Sequence, residues 1–254
     1  MKSNSISASS EIFEHDVARW IIDNANNLED CRAKFCSINA LRFLRWAHEL
    51  FEPSAIVASF CALNATEEAV AAFISAAKTH GHKQYAKEVN LHDHQSKALI
   101  SVFAQRCSGV AKQGRLAIAV APNKDALAFR LPTGNGYDYR YGNLHLSSFR
   151  IYPNTESPGK DDIALGDMPT LEELQAEVKR VAEARNALLY ATNTGIQTGF
   201  KDPQASLLRE TQLSLGLIWA AVDMYTNPDQ DRPFINKVLE GMASLNTKGK
   251  VQEC

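Results

Sequence analysis

Residues 54–82 read SAIVASFCALNATEEAVAAFISAAKTHGH, and this stretch decides the fold class. Apolar residues recur in it every three or four positions, which is the spacing of an amphipathic helix; they are Ile56, Phe60, Leu63, Val70, Ile74 and Ala77. Ser54 has the side chain of an N-cap, and Gly81 marks the predicted C-terminal end. Position 67 continues the series with a glutamate. The stretch therefore predicts a long helix with an acidic residue on its inner side.

Helical spacing also appears on both sides of this stretch. Thr170 and Glu173 form a capping box at the start of one further helix. The other predicted helices span about 14–24, 37–51, 93–107, 206–225 and 232–244. The residues expected to face inward are Leu41, Leu44 and Phe51, then Leu171, Leu174, Val178, Val181 and Leu188, then Leu208, Leu215, Trp219 and Val222. The fold class is predicted to be mainly α, a helical bundle forming a single helical domain over residues 1–254.

The pattern changes between about residues 116 and 153. Short segments of alternating apolar and aromatic residues are separated there by turn signals such as GNG and PNKD, which is typical of hairpins. A polar stretch with Gly and Pro follows. We predict a small β-rich insertion over 116–153, which together with its linker covers 116–168 of the helical domain.

The composition indicates which kinds of partner and which cellular compartment to expect. The net charge of −2 over 254 residues provides no global basic field, so any phosphate-binding surface must be local. The five cysteines form no C-x-x-C pair, which is typical of reduced thiols in a cytosol. The first residues lack the apolar stretch of a secretory signal, and Thr66, Glu67 and Glu68 interrupt the most apolar helix. We expect a cytoplasmic protein with no membrane partner.

Arg185 is the most informative polar residue. The stripe of positions 171, 174, 178 and 181 continues to position 185, so a guanidinium stands where the pattern asks for an aliphatic side chain. A buried arginine must be paired or hydrogen-bonded. Two structural interpretations stay open: an ion pair with an inward acid such as Glu67, or a stripe that ends one turn early.

The functional interpretation comes from the neighbours of this arginine. The run Arg185-Asn186-Ala187-Leu188-Leu189-Tyr190 resembles the R-N-x-x-x-H signature of HEPN ribonucleases, with Tyr190 where that superfamily usually has His. The acidic run ending in Glu67 and Glu68, and the His94-Gln95-Ser96-Lys97 segment, are similar to motifs of AbiV-type abortive-infection proteins. The resemblance covers about 54–97 and 170–225 and leaves the β-rich middle outside it.

The resemblance implies a homodimeric antiviral defence protein that cleaves RNA as an endoribonuclease, without metal or cofactor. Arg185 would bind the scissile phosphate, Asn186 would orient a phosphate oxygen or the 2′-hydroxyl, and Glu67 and Glu68 would lie around the polar centre. Tyr190 departs from the pattern, because tyrosine has an ordinary pKa near 10 and histidine near 6.5, so it is a poor proton shuttle at neutral pH. This leaves an RNA-binding protein or an inactive scaffold open, and a regulatory protein partner is also expected.

Further polar residues are candidate substrate contacts. His94 and Lys97 lie one turn apart, where they could contact a phosphate. Arg45 and His48 have the same spacing, and His48 falls on the apolar stripe of its helix; a hydrogen-bonded core residue is the favoured interpretation of that histidine.

Two other functional classes stay open from the sequence. His80, His82, His92 and His94 flank one loop and could bind zinc with Asp93, which would make the protein a metal-dependent hydrolase. A non-catalytic helical interaction or scaffold protein is the other alternative, in which the same polar groups only hold helices together.

Overall fold

A computed structural model describes residues 13, 16–87, 89–91, 94–100, 171–189, 202–229, 235, 236, 239 and 242, and the backbone of five short strands between 115 and 164. For a few helical residues only the backbone is described. Arg185 and Asn186 are among these, and Tyr190 lies outside the described residues.

The described part of the chain is mainly helical, which confirms the predicted fold class at that level. The helices are α1 (Asp16–Asn27), α2 (Arg32–Glu49), α3 (Ala55–Thr79), α4 (Lys83–Ala86), α5 (Leu171–Leu189) and α6 (Pro203–Thr226). Residues 94–100, 235, 236, 239 and 242 are also helical.

Five strands lie between α4 and α5 in the chain. They are β1 (Arg115–Val120), β2 (Leu127–Thr133), β3 (Gly136–Tyr141), β4 (Arg150–Tyr152) and β5 (Asp162–Ala164). The first three pair antiparallel in the order β1-β2-β3, and β4 pairs with β5 in parallel. Only their backbone is described, so the predicted β-rich insertion into a helical domain stays a prediction.

The chain divides into two compact units. The first comprises Met1–His80 and Ala182–Pro228, and the second comprises Gly81–Val181 and Asp229–Cys254. In the first unit α3 packs against α2 and α6, and α1 packs against α2 and α6. In the second unit the buried apolar residues include Val89, Leu91, Leu99, Ile235, Leu239 and Met242. The expected single-domain organisation over 1–254 stays a prediction.

The buried face of α3 differs from the predicted stripe in its first half. Ile56, Phe60 and Leu63 are only half-buried. The fully buried positions there are small residues, namely Ala58, Ala62, Ala65 and Ala69. Small side chains let neighbouring helix axes approach closely, whereas a hydropathy pattern favours the larger residues beside them. In the second half Val70, Ile74 and Ala77 are buried, as predicted.

The ends of the long helices follow local chemistry. The Ser54 side chain accepts a hydrogen bond from the backbone N–H of Val57, which confirms Ser54 as the N-cap of α3. Gly81 follows the end of α3 with a φ of 78°, in the left-handed region that glycine adopts without strain. Helix α2 begins at Arg32 rather than at about residue 37, because the Cys31 sulfur caps it by accepting from the backbone N–H of Lys34. Cysteine is not a usual N-cap, so the sequence carried no start signal there.

The inner side of α6 differs from the prediction at its first position. Leu208 is 42% exposed, so its assignment to the core is wrong, and Leu207 is buried in its place. Leu215, Trp219 and Val222 are buried as expected. The face next to Leu207 also carries buried Thr211 and Ser214. Because threonine and serine are polar, a hydropathy pattern does not assign these two buried positions to the inner side of α6.

Helix α3 is long and apolar enough to cross a bilayer by length and composition, and it is the one such helix in the described part of the chain. We expected Thr66, Glu67 and Glu68 to interrupt the apolar stretch, but α3 still has the length and composition of a membrane-spanning helix. Most of the apolar stretch is buried inside the protein, and core helices pass the same test. Its packing between α2 and α6 accounts for its apolar composition.

Candidate functional site

The predicted site residues fall in different parts of the molecule. Arg185 and Asn186 lie on α5, and their side chains are outside the description, as is the whole of Tyr190. Their predicted roles therefore stay predictions. Glu67 and Glu68 lie on α3, both half-buried. In the second unit, His94 is exposed and Lys97 half-buried on the same helical segment.

The outer side of α2 carries a row of side chains that we call the α2 face, made of Phe35, Asn39, Arg42 and Trp46, of which Asn39 is half-buried and the others exposed. The spacing of four, three and four residues places these side chains in one row along the helix. Phe35 is 56% exposed and Trp46 is 39% exposed, and these are large apolar side chains to leave in water. The α2 face is therefore a surface suited to contact with a ligand or partner.

The arginine of this face is held between two neighbours. Arg42 donates a hydrogen bond to the side-chain oxygen of Asn39, and its guanidinium carbon lies 5.0 Å from the centre of the Trp46 ring. This is a cation–π arrangement, which restrains the charged group over the aromatic surface. The edge of the Trp46 ring also meets Phe43, with ring centres 5.4 Å apart. The row is thus ordered without a partner.

A surface pocket of about 340 Å³, the α2 pocket, opens beside this face. It is lined by Phe35, Cys36, Ile38, Asn39, Arg42 and Glu68. One residue of a motif singled out in the sequence contributes to it, because Glu68 comes from α3 and the rest of the lining from α2. Its lining offers an aromatic ring, a cation, an amide and a carboxylate.

The thiol in the α2 pocket has a raised pKa. Burial raises the pKa of Cys36, and the negative charge of Glu68 raises it further, while Arg32 opposes both effects. The thiol therefore stays protonated at neutral pH and hydrogen-bonds to the Glu68 carboxylate. We infer that the chemistry of the pocket is binding by charge and hydrogen bonds.

His48 and Arg45 face different surroundings. Arg45 is exposed, whereas the ring nitrogen Nε2 of His48 lies 2.9 Å from the hydroxyl oxygen of Thr211. That hydroxyl donates to the carbonyl of Leu207, so its oxygen accepts from Nε2–H of the histidine. The other ring nitrogen, Nδ1, is buried without a hydrogen-bond partner, and the ring of Phe13 meets the imidazole edge-on at 5.3 Å. The hydrogen bond of the favoured interpretation is therefore present on a half-buried ring, and a substrate contact by His48 or Arg45 stays a prediction.

Acid is expected to destabilise the protein through His48. Burial lowers the pKa of this residue from 6.5 to about 4, so the folded state holds the neutral ring while the unfolded chain binds a proton below pH 6.5. Stability is therefore full above pH 6.5 and falls as the pH drops towards 4. The shift corresponds to up to about 3 kcal/mol, and solvent screening at this partly accessible ring reduces the expected loss to roughly 1–2 kcal/mol. Urea unfolding at pH 7 and pH 4.5 measures this.

His48→Gln is the control for this effect, because glutamine can still donate to Thr211 and does not titrate. The difference in unfolding free energy between wild type and variant should therefore change by roughly 1–2 kcal/mol between pH 7 and pH 4.5. A difference that stays constant from pH 7 to pH 4.5 contradicts the assignment.

A buried polar contact joins α3 and α6, and the sequence analysis missed it. The hydroxyl of Thr66 lies 2.8 Å from a carboxylate oxygen of Glu210 and 3.1 Å from the hydroxyl of Ser214. Glu210 is only 4% exposed, and its other oxygen accepts from the guanidinium of Arg209 at 3.2 Å. The buried carboxylates described in this unit are thus Glu210 and Asp223, both on α6, whereas the expected inward acid Glu67 is half-buried. In the sequence, the hydroxyl residues that surround the Glu210 carboxylate, Thr66 and Ser214, were the available sign of the contact.

Comparisons with family models, curated proteins and solved structures find no match to this chain. The HEPN and AbiV resemblance stays a prediction that rests on the quoted motifs. The function is inferred below from those motifs and from the chemistry of the first unit.

The described histidines near the end of α3, His80 and His82, have separate contacts. The ring of His80 meets Tyr225 edge-on at 4.2 Å, and Nδ1 of His82 lies 2.7 Å from the side-chain oxygen of Asn236. Among the residues that the structure describes, no three His, Cys, Asp or Glu side chains are grouped for a metal ion. His92 and Asp93 lie outside those residues, so the hydrolase alternative stays a prediction.

Proposed function

We propose that this chain is a HEPN-like, RNA-directed defence protein that binds single-stranded RNA and cleaves it without a metal. The observation that carries the RNA-binding part is the α2 face, where Phe35 and Trp46 are exposed in one row with Arg42. Aromatic side chains that stack bases, with cations that contact the backbone, are the combination used by single-strand binders. The cleavage part rests on the Arg185-Asn186 motif.

Local charge supports the same proposal. Helix α2 carries four cationic residues, Arg32, Lys34, Arg42 and Arg45, and one carboxylate, Glu49. Lys34 pairs with Asp30 at 3.1 Å, but the three arginines are exposed. A cationic helix in a chain of net charge −2 concentrates positive potential where phosphates would need it.

The test is binding of a labelled single-stranded RNA, followed by fluorescence anisotropy at fixed salt. Wild-type protein should bind the single strand more tightly than the duplex of the same sequence, because stacking requires free base faces. Phe35→Ala and Trp46→Ala should each weaken binding by about tenfold, as expected from stacking energies of about 1–3 kcal/mol per base.

Val57→Ala and Leu208→Ala are matched controls. Both residues are exposed apolar side chains of the same unit, at 43% and 42%, and neither belongs to the α2 face. Their variants should bind RNA as the wild type does. Equal losses in all four variants, or no binding by the wild type, would refute an RNA site on α2.

A non-catalytic helical interaction protein is the second candidate. The contact of Thr66 with Glu210 and Ser214, and that of His48 with Thr211, favour it, because such buried polar groups fix the packing of helices. In that case the polar groups of the bundle serve packing alone, and the α2 face serves protein contact.

The remaining parts of the proposal follow from the resemblance. We propose that the protein is a cytoplasmic homodimer that responds to a regulatory protein. The β-rich insertion over 116–153 is proposed as an accessory element of the helical domain. Light scattering on the purified protein measures the oligomeric state.

A further inference from the structure

The α2 pocket combines groups that do not suit a phosphate. Glu68 places a carboxylate in its wall, and this charge repels any anionic group that enters. Phe35 and Ile38 contribute apolar surface, while Asn39 and Arg42 contribute polar groups. A ligand for this pocket has a flat apolar body, hydrogen-bond donors for the carboxylate and acceptors for the guanidinium.

A nucleobase has that chemistry. The four bases differ in the hydrogen-bond donors that they can present to the Glu68 carboxylate. Guanine presents N1–H and the N2 amino group side by side, so both oxygens of one carboxylate can accept from it. Adenine and cytosine present one amino group next to an acceptor nitrogen, and uracil presents one N–H between two carbonyls. These acceptors would face the negative charge of Glu68, which disfavours the three other bases.

The remaining groups of the pocket suit the rest of guanine. Its O6 and N7 form the acceptor pair that arginine binds with two parallel hydrogen bonds, and Arg42 provides such a guanidinium. The exposed ring of Phe35 provides a stacking surface for the base. A volume of about 340 Å³ lies in the range of about 300–1,000 Å³ typical of small-ligand sites.

We propose that the α2 pocket is a guanine-binding subsite for single-stranded RNA, formed by Glu68, Arg42 and Phe35. This inference rests on the proposed function, because the pocket shares Phe35, Asn39 and Arg42 with the α2 face and Trp46 is left to stack a neighbouring base. The Cys36 thiol donates to Glu68 but leaves the carboxylate further acceptor positions, so it restrains the side chain without blocking it.

The experiment compares three nine-residue RNAs that differ only at the central base, which is guanine, hypoxanthine or uracil in an oligouridine strand. Hypoxanthine keeps N1–H, O6 and N7 but lacks the N2 amino group, so it tests the carboxylate contact without changing the protein. Wild-type protein should bind the guanine strand about tenfold more tightly than the all-uracil strand, with the hypoxanthine strand between them.

Glu68→Gln should reduce the guanine preference, taken as the ratio of the affinities for the guanine and all-uracil strands, to less than about twofold. Glu49→Gln is the matched control, since it removes an exposed carboxylate from the end of α2 outside the pocket, and it should keep the preference. Circular dichroism checks that both variants fold. If Glu68→Gln does not fold, the comparison of guanine with hypoxanthine in the wild type still decides.

The possible failures can be distinguished. If all three strands bind equally well and binding still depends on Phe35 and Trp46, the guanine subsite is refuted and the RNA-binding proposal stands. If no strand binds, both are refuted. If Phe35→Ala instead turns a wild-type dimer into a monomer in light scattering, the α2 face is a protein interface and the guanine subsite is again refuted.

Discussion

Arg185→Ala is expected to slow RNA cleavage by about a hundredfold or more, while cleavage by the wild type persists in EDTA. In the proposed site the guanidinium binds the scissile phosphate and the charge that develops on it. Its forked and permanently charged head suits that task, and alanine leaves the charge without a partner. The measurement is the initial rate of cleavage of transfer RNA and total RNA in excess EDTA.

Arg180→Ala is the matched control for Arg185→Ala. Arg180 is an exposed arginine on the same helix, and it pairs with Glu177 at 2.6 Å. Removing it deletes the same charge five positions earlier and should leave the cleavage rate within about twofold, as expected for an exposed ion pair of small energy.

Two outcomes would contradict the proposed role of Arg185. Equal cleavage by wild type and Arg185→Ala refutes the ribonuclease proposal. If Arg185→Ala mainly lowers the free energy of unfolding, by about 3–5 kcal/mol, Arg185 has the structural role of a buried ion pair instead. Thermal unfolding of the same samples separates these results from a loss of activity alone.

Thr66→Val is expected to lower the free energy of unfolding by about 2–3 kcal/mol. Valine has nearly the shape of threonine but has no hydroxyl, so the nearly buried carboxylate of Glu210 loses a donor at 2.8 Å. Ser214 loses its partner in the same change. A hydrogen bond to a charged group contributes more than a neutral one, and burial adds the cost of the unmatched acceptor. Urea unfolding followed by circular dichroism measures the loss.

Thr226→Val provides the comparison for this substitution. Thr226 is exposed at the end of α6, where its hydroxyl donates to the carbonyl of Val222, so the same change should cost less than about 1 kcal/mol. A double-mutant cycle of Thr66→Val with Glu210→Gln should show a coupling of about 1 kcal/mol or more. Additive effects would mean that the two side chains do not stabilise one another.

Part of the candidate site could be predicted from the sequence and part could not. The acidic motif had singled out Glu68 as a candidate residue, and the apolar stripe of its helix had indicated a hydrogen-bonded position for His48. The α2 pocket was not predicted, because Phe35 and Cys36 precede the predicted start of that helix. Without the correct start, Phe35 cannot be assigned to the helix face that carries Asn39, Arg42 and Trp46.

The buried polar contact shows a different limit. Thr66 and Glu210 lie 144 positions apart, so no local pattern relates them. The apolar series of α3 predicts an inward carboxylate at Glu67, because that position continues the series. Small residues pack closer than that series suggests, and this turns α3 so that Thr66 faces α6.

The sequence by itself determined the mainly helical class of the described residues, the N-cap at Ser54 and the end of α3 at Gly81. These features depend on the spacing of side chains along one helix and on backbone chemistry within a few residues. Tertiary packing determined that small residues form the buried face in the first half of α3, that the Glu210 carboxylate is buried at the contact of α3 with α6, and that Glu68 meets α2 in a pocket. Such features depend on how closely two helices approach, and that distance is set jointly by side chains from distant parts of the chain.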